Sequence, residues 1–265
     1  MDKQIVLDGK EIHYYIEGRG NTLVLLHGYL ESKEMWKAHQ QALSTSFQLI
    51  CIALAGHGRT SNFGTVHTMP LMAKLVYTVL KAEEIIKCVM IGHSMGGYVA
   101  LAFAAKYPNL LSGFGLFHSH ASADNAQTKL NRERTMDLIK GDKGHFIFHF
   151  IPTLYAEENV ERFQEEIKAQ TDIALSMSKE NVLAAMAGIK ERESSLDVLT
   201  ETEVPVLFIL GKQDPRIPIA SVLAQTSLPK TSQTLMLSNS GHMGWLEEQN
   251  KTIAAIRGFI GLCVS

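Results

Sequence analysis

The sequence predicts an α/β fold: a doubly wound, mostly parallel sheet with one helical insertion. Three observations carry this. Continuous apolar runs without polar alternation recur along the chain, as in strands covered on both faces. Helical patterns lie between them, and strands alternating with helices build parallel sheets. One segment, 119–197, breaks the rhythm with charged amphipathic helix and no strand pattern.

Each element follows from its residues. Asp8-Gly9 between "IVL" and "EIHYYIE" reads as a hairpin with a two-residue turn. Strands are predicted over 22–26 (TLVLL), 47–54 (FQLICIAL), 88–92 (CVMIG), 113–117 (GFGLF) and 204–210 (VPVLFIL), with a last apolar stretch at TLML. Helices are predicted around 34–44, over 69–81 with Pro70 in the first turn, and over 96–106, stopped by Pro108. Within 119–197, Val160, Phe163 and Ile167 share a helical face, as do Val182, Met186 and Ile189. The organisation is therefore a core of residues 1–118 and 198–265 with a helical cap, 119–197, inserted in it.

The chain has 265 residues, enough to bury a core without staples. A net charge of −2 supplies no basic field for nucleic acid. Cys51, Cys88 and Cys263 are odd in number, far apart and set in apolar stretches, which predicts reduced thiols in a cytoplasmic protein, with neither a disulfide framework nor a zinc site. "MDKQIVLDGK" lacks the apolar region of a signal peptide, and no apolar run approaches the ~18 residues of a membrane span. The expected form is a monomer or small homo-oligomer acting on a small molecule, away from membranes.

The chemistry is predicted by "IGHSMGGY". Gly-x-Ser-x-Gly alone is only suggestive. Here a buried strand precedes Ser94 and an alanine-rich helix follows, the setting of a nucleophile elbow. The tight turn exposes the serine hydroxyl, Gly92 and Gly96 let backbone pass closely, and the helix N-terminus directs amides and a positive dipole end at the serine. In this motif class an acid and then a histidine follow the serine. His242, in "SNSGHMGW", is the one histidine after His149, in a loop beyond the last strand. Asp214, in "LFILGKQDPRIP", lies just past the strand before it, so both fall at carboxyl ends of strands. Asp124 and Asp197 are the alternative acids. An oxyanion needs donors: the amide of Met95, following the nucleophile, and that of Tyr29 in "HGYLE", where His27 and Gly28 shape the turn.

These residues resemble the α/β-hydrolase superfamily over essentially the full length. The resemblance rests on "LLHGYLESKEMW", "LAGHGRT", "GHSMGGYVALAFAAKYP", "LGKQDPRIP" and "SGHMGWLEE". It implies an eight-stranded, mostly parallel sheet with helices on both faces, a helical cap after the sixth strand, no cofactor, and acyl-enzyme chemistry. The chain looks most like small serine esterases, enol-lactonases, cofactor-free haloperoxidases and C–C bond hydrolases. Serine at 94 argues against epoxide hydrolases and haloalkane dehalogenases, which place aspartate there. In "ALAGHGRT", Ala53 and Thr60 stand where relatives carry Asp and Ser, a departure expected to affect local rigidity more than chemistry.

The predicted function is hydrolysis of a small carboxylic ester or lactone. Two alternatives are a ligand receptor on a hydrolase fold, since fold does not fix role, and a C–C bond hydrolase, which would use a cap arginine, Arg132, Arg134 or Arg192, to hold a carboxylate or enol. The pairs His118/His120 and His145/His149 have metal-ligand spacing, but no accompanying carboxylate pattern, so no metal is predicted. "HFIFHFI", with Phe148 as the candidate roof residue, and Met136, Met177 and Met186 are candidates for an acyl pocket wall.

Overall fold

A computed structural model describes residues 1–264. The hairpin forms as β1 (Asp2–Leu7) and β2 (Lys10–Glu17), with Asp8 and Gly9 both at positive φ in the turn. β3 (Thr22–Leu26), β4 (Gln48–Ile52), β5 (Cys88–His93), β6 (Leu111–Phe117), β7 (Val206–Gly211) and β8 (Ser232–Leu237) complete one eight-stranded sheet in the order β1-β2-β4-β3-β5-β6-β7-β8. β2 runs antiparallel to β1 and β4; every pairing from β4 through β8 is parallel. The predominantly apolar strands β3, β5 and β7 are buried along their whole length, because helices cover both faces.

The helices are α1 (Lys37–Leu43), α2 (Met69–Ala82), α3 (Met95–Lys106), α4 (Ala126–Phe150), α5 (Gln164–Ser176), α6 (Lys179–Glu191), α7 (Leu196–Glu201), α8 (Ile219–Leu223), α9 (Gly244–Glu247) and α10 (Gln249–Val264). α2 starts at an N-cap, where the Thr68 hydroxyl accepts from the Leu71 amide, with Pro70 in the first turn as its missing N–H allows. One apolar cluster joins α2 and α3 to one sheet face; a second places α10 and Trp36 on the other. Between β6 and β7 the described chain contains helix only. Residues of α4, α5 and α6, including Ile147, Ile167 and Val182, form a third cluster with Leu30 and Met243 of the core loops. Val160 and Phe163 pack on the same cluster from the turn before α5, so the helical face expected to include them begins only at Gln164. α4 is broken at Asp142, whose φ of −145° is not helical.

Cys51 and Cys88 are buried free thiols and Cys263 is half-buried. Among the described residues no helix is long and apolar enough to cross a membrane.

In the loop after β4, Thr60 is held by its side chain. The Thr60 hydroxyl donates to the Ala53 carbonyl at 2.7 Å and accepts from the His13 amide at 2.9 Å. Thr60 thus ties the loop to β2 by its own side chain.

Candidate active site

The site is assembled where β3, β5, β6, β7 and β8 end. Ser94 joins β5 to α3 at φ 49° and ψ −113°, a region L-residues avoid. Close packing holds it there. A Cβ at Gly92 would lie 2.1 Å from the Gly96 carbonyl oxygen, and one at Gly96 would lie 2.6 Å from that of Leu26, so both positions require glycine. Leu30 (φ 61°) and His118 (φ 48°), two further strained residues, border the same site, as expected where surrounding structure over-determines the backbone.

Three side chains from different elements meet in a line. The Ser94 hydroxyl lies 2.9 Å from His242 Nε2, and His242 Nδ1 lies 2.8 Å from Asp214 Oδ2. Asp214 accepts four hydrogen bonds. His118 Nδ1 donates to the same Oδ2 at 2.8 Å, and the amides of Arg216 and Ile217 donate to Oδ1 at 2.8 and 3.0 Å. Burial alone would raise the Asp214 pKa. The electrostatic effect of His242 and the hydrogen bonds from both histidines outweigh it and hold the carboxyl well below the usual range. Burial pushes His118 down to about 4, so it stays neutral, and its Nε2 is a buried lone pair without a partner.

A second polar chain lies behind the first, and no periodicity or motif marks it in the sequence. Glu31, only 2% exposed, accepts from the Gly28 amide at 2.5 Å and from His93 Nδ1 at 2.8 Å. His93 Nε2 donates to the His242 carbonyl at 2.8 Å. With an acceptor at each ring nitrogen, His93 needs both protons and is an imidazolium. Burial would lower its pKa, but the Glu31 carboxylate raises it; reciprocally Glu31 is lowered against the same penalty of burial. One buried ion pair therefore joins the loop after β3, the β5–α3 turn and the His242 loop.

The other predicted residues fall as follows. His27 is a clasp: its Nδ1 donates to the Gly28 carbonyl and its Nε2 accepts from the Leu54 amide. Gly28 packs against the serine, where a Cβ would sit 3.2 Å from that of Ser94. Tyr29 lines the cavity over Ser94, and Met95 opens α3. Asp124 is not an alternative acid, because it pairs with Arg132 and Arg192; Asp197 is exposed on α7.

Several expectations for the cap are corrected. Phe148 is 64% exposed and roofs nothing; the break at Asp142 turns α4 so that Ile147 and Ile151 face inward and Phe150 reaches the cavity. Met186 lines the cavity, but Met177 packs inside the helical cluster and Met136 is not on the cavity wall. His145 and His149 are exposed and face each other, at 4.3 Å between rings, with His149 also edge-on to Phe148. His118 and His120 do not act as a pair: His118 bonds Asp214 and His120 lies beside Arg192. Among the described residues the group with metal-ligand proximity is His118, Asp214 and His242, whose facing atoms are already spent on one another.

The sequence profile of the alpha/beta hydrolase fold matches residues 21–124. The solved esterase from Thermogutta terrifontis, with malate bound, is 30% identical, covers 100% of both chains and superposes with a TM-score of 0.93. The chain belongs to the α/β-hydrolase family. Other relatives include a pimeloyl-[acyl-carrier protein] methyl ester esterase of Vibrio parahaemolyticus, 27% identical over 94% of this chain and 97% of that one. A pyrrolizixenacetamide deacetylase of Xenorhabdus hominickii is 25% identical over 94% of each.

Proposed function

We propose that this α/β-hydrolase is a cytoplasmic serine hydrolase that cleaves a small carboxylic ester or lactone through an acyl-enzyme on Ser94. The observation that carries this is the continuous Ser94–His242–Asp214 hydrogen-bonded line at the floor of a cavity of about 280 Å³. That volume lies just below the ~300–1,000 Å³ of typical ligand sites, which suits a small substrate.

The steps follow from the groups present. His242 Nε2 takes the Ser94 proton as Oγ bonds to the acyl carbon. The tetrahedral oxyanion is held by the amides of Met95 and Tyr29. Met95 opens its helix, so its N–H has no acceptor one turn back; the neighbouring Gly28 amide is already spent on Glu31, leaving that of Tyr29 for the ligand. The carbon–oxygen bond to the leaving group then breaks, and the alkoxide leaves with the proton from His242. Water enters, loses a proton to His242 and forms a bond to the acyl carbon. Release of the acid returns that proton to Ser94. Asp214 orients His242 throughout and stabilises its charged form. The helical segment between β6 and β7 contributes none of these groups; it roofs the cavity, governs which substrates enter, and excludes water, which strengthens the oxyanion contacts.

A fluorophosphonate probe is expected to label Ser94 alone, and Ser94→Ala to lower turnover of p-nitrophenyl acetate by roughly 10⁴ or more while far-UV circular dichroism is unchanged. Labelling elsewhere, or near-normal turnover in Ser94→Ala, would overturn the reading.

A further inference from the structure

The roof of the cavity is polar, which a site for plain acyl chains does not require. Thr128, Asn131, Arg132 and Thr135 line it from α4, at the spacing of a single helical face. Arg216 lines it from the loop after β7, next to the acid Asp214.

The charges do not balance around these groups. Glu31 is the one carboxylate among the cavity-lining residues, and His93 neutralises it. Asp124 must serve two guanidinium groups, those of Arg132 and Arg192. Arg192 spends itself there and over the Tyr98 ring, 4.0 Å from its centre. Arg216 has no carboxylate within ion-pair distance among the described residues. It is held instead by a hydrogen bond to the Thr153 hydroxyl at 2.5 Å and by stacking 4.5 Å over Phe150. Burial lowers the Arg216 pKa, the Asp214 carboxylate opposes this, and the charge of Arg132 adds to it, so the two cavity arginines repel each other. A bound anion would relieve that repulsion, and guanidinium groups suit carboxylates in particular.

We propose that Arg132 and Arg216 form an anion subsite in the Ser94 cavity, so that the substrate is a small ester or lactone that itself carries a carboxylate. This rests on the hydrolase reading above and narrows its substrate class. Arg132 and Arg216 are specificity-determining groups and take no part in bond making.

The test compares charged esters with their neutral methyl esters: monomethyl succinate against dimethyl succinate for a carboxylate on the acyl side, and O-acetylglycolate against methyl acetoxyacetate for one on the leaving group. For at least one pair, kcat/KM is expected to favour the charged member, and the charged-to-neutral ratio to fall by about tenfold or more in Arg132→Gln and in Arg216→Gln. Arg134→Gln removes the same charge from the exposed side of α4 and should leave the ratio where it was. Equal or lower kcat/KM for both charged members, or ratios that ignore both substitutions, would overturn the subsite while leaving the serine hydrolase standing. If no ester is hydrolysed and the fluorophosphonate leaves Ser94 unlabelled, the hydrolase reading fails instead. Calorimetric titration with succinate then decides the subsite by itself: binding that is lost in Arg132→Gln and Arg216→Gln supports it, and no binding overturns it.

Discussion

Replacing Glu31 by glutamine tests the buried ion pair behind the serine. The substitution keeps the shape and removes the charge. Glu31 Oε2 accepts two hydrogen bonds, from the Gly28 amide and from His93, while His93 also donates to the His242 carbonyl. Glutamine cannot satisfy all three. If its oxygen stays in place, His93 must either remain charged without a counter-ion or turn a lone pair toward the His242 carbonyl. If the amide flips, its NH₂ faces the Gly28 N–H. A single buried unsatisfied group costs about 1–3 kcal/mol, and a buried charge stripped of its partner about 3–5 kcal/mol. A value of about 3 kcal/mol lowers Tm by roughly 6–12 °C at ~2–4 °C per kcal/mol for a chain of this size.

The pH dependence has two limbs. The His93 pKa is raised in the folded state, so its contribution is full below the unfolded value of about 6.5 and is lost as pH rises through the folded one. The Glu31 pKa is lowered, so its contribution is full above about 4.3 and is lost as pH falls through the folded value. Scanning calorimetry of wild type and Glu31→Gln should therefore show the widest Tm gap near about pH 6, narrowing toward both acid and alkali. A gap below about 2 °C at that pH, or one that does not change with pH, would refute the ion-pair reasoning.

Two further outcomes follow from the same geometry. Asp214→Asn presents an NH₂ either to two histidine N–H groups or to the amides of Arg216 and Ile217, so kcat on p-nitrophenyl acetate should fall by roughly 10³–10⁴, and a loss under about tenfold would contradict the role given to Asp214. The cavity of about 280 Å³ predicts that kcat/KM for p-nitrophenyl esters peaks at short acyl chains and falls for long ones; Phe150→Ala should move that peak and Phe148→Ala should not, whereas activity that climbs steadily with chain length would contradict the roofed cavity.

Much of the molecule is written in local pattern. Apolar runs mark strands because a strand buried on both faces has no solvent side to alternate with, and β3, β5, β6 and β7 lie within a few residues of their predicted bounds. The β5–α3 turn is legible because backbone approach at Gly92 and Gly96 leaves no room for a Cβ, a constraint that shows directly as residue type. Ser94, Asp214 and His242 are legible because chain order and strand ends place them on one edge of the sheet.

Tertiary structure decided what depends on partners remote in sequence. Glu31 and His93 are 62 residues apart, and either reads alone as an ordinary loop or strand-end residue. His118 looks like half of a metal-spaced pair until the fold sets it 2.8 Å from Asp214, 96 residues away. In the helical segment between β6 and β7, Phe148 points outward against expectation because helical periodicity shows only that a face is buried, and the break at Asp142 resets which face that is. Among the cavity arginines, Arg132 carries no sequence signal that separates it from Arg134 and Arg192, and Arg216 carries none at all. Which guanidinium faces the serine, and which is spent on Asp124, is a question of charge balance in space, and local sequence does not record where a counter-charge will fold to.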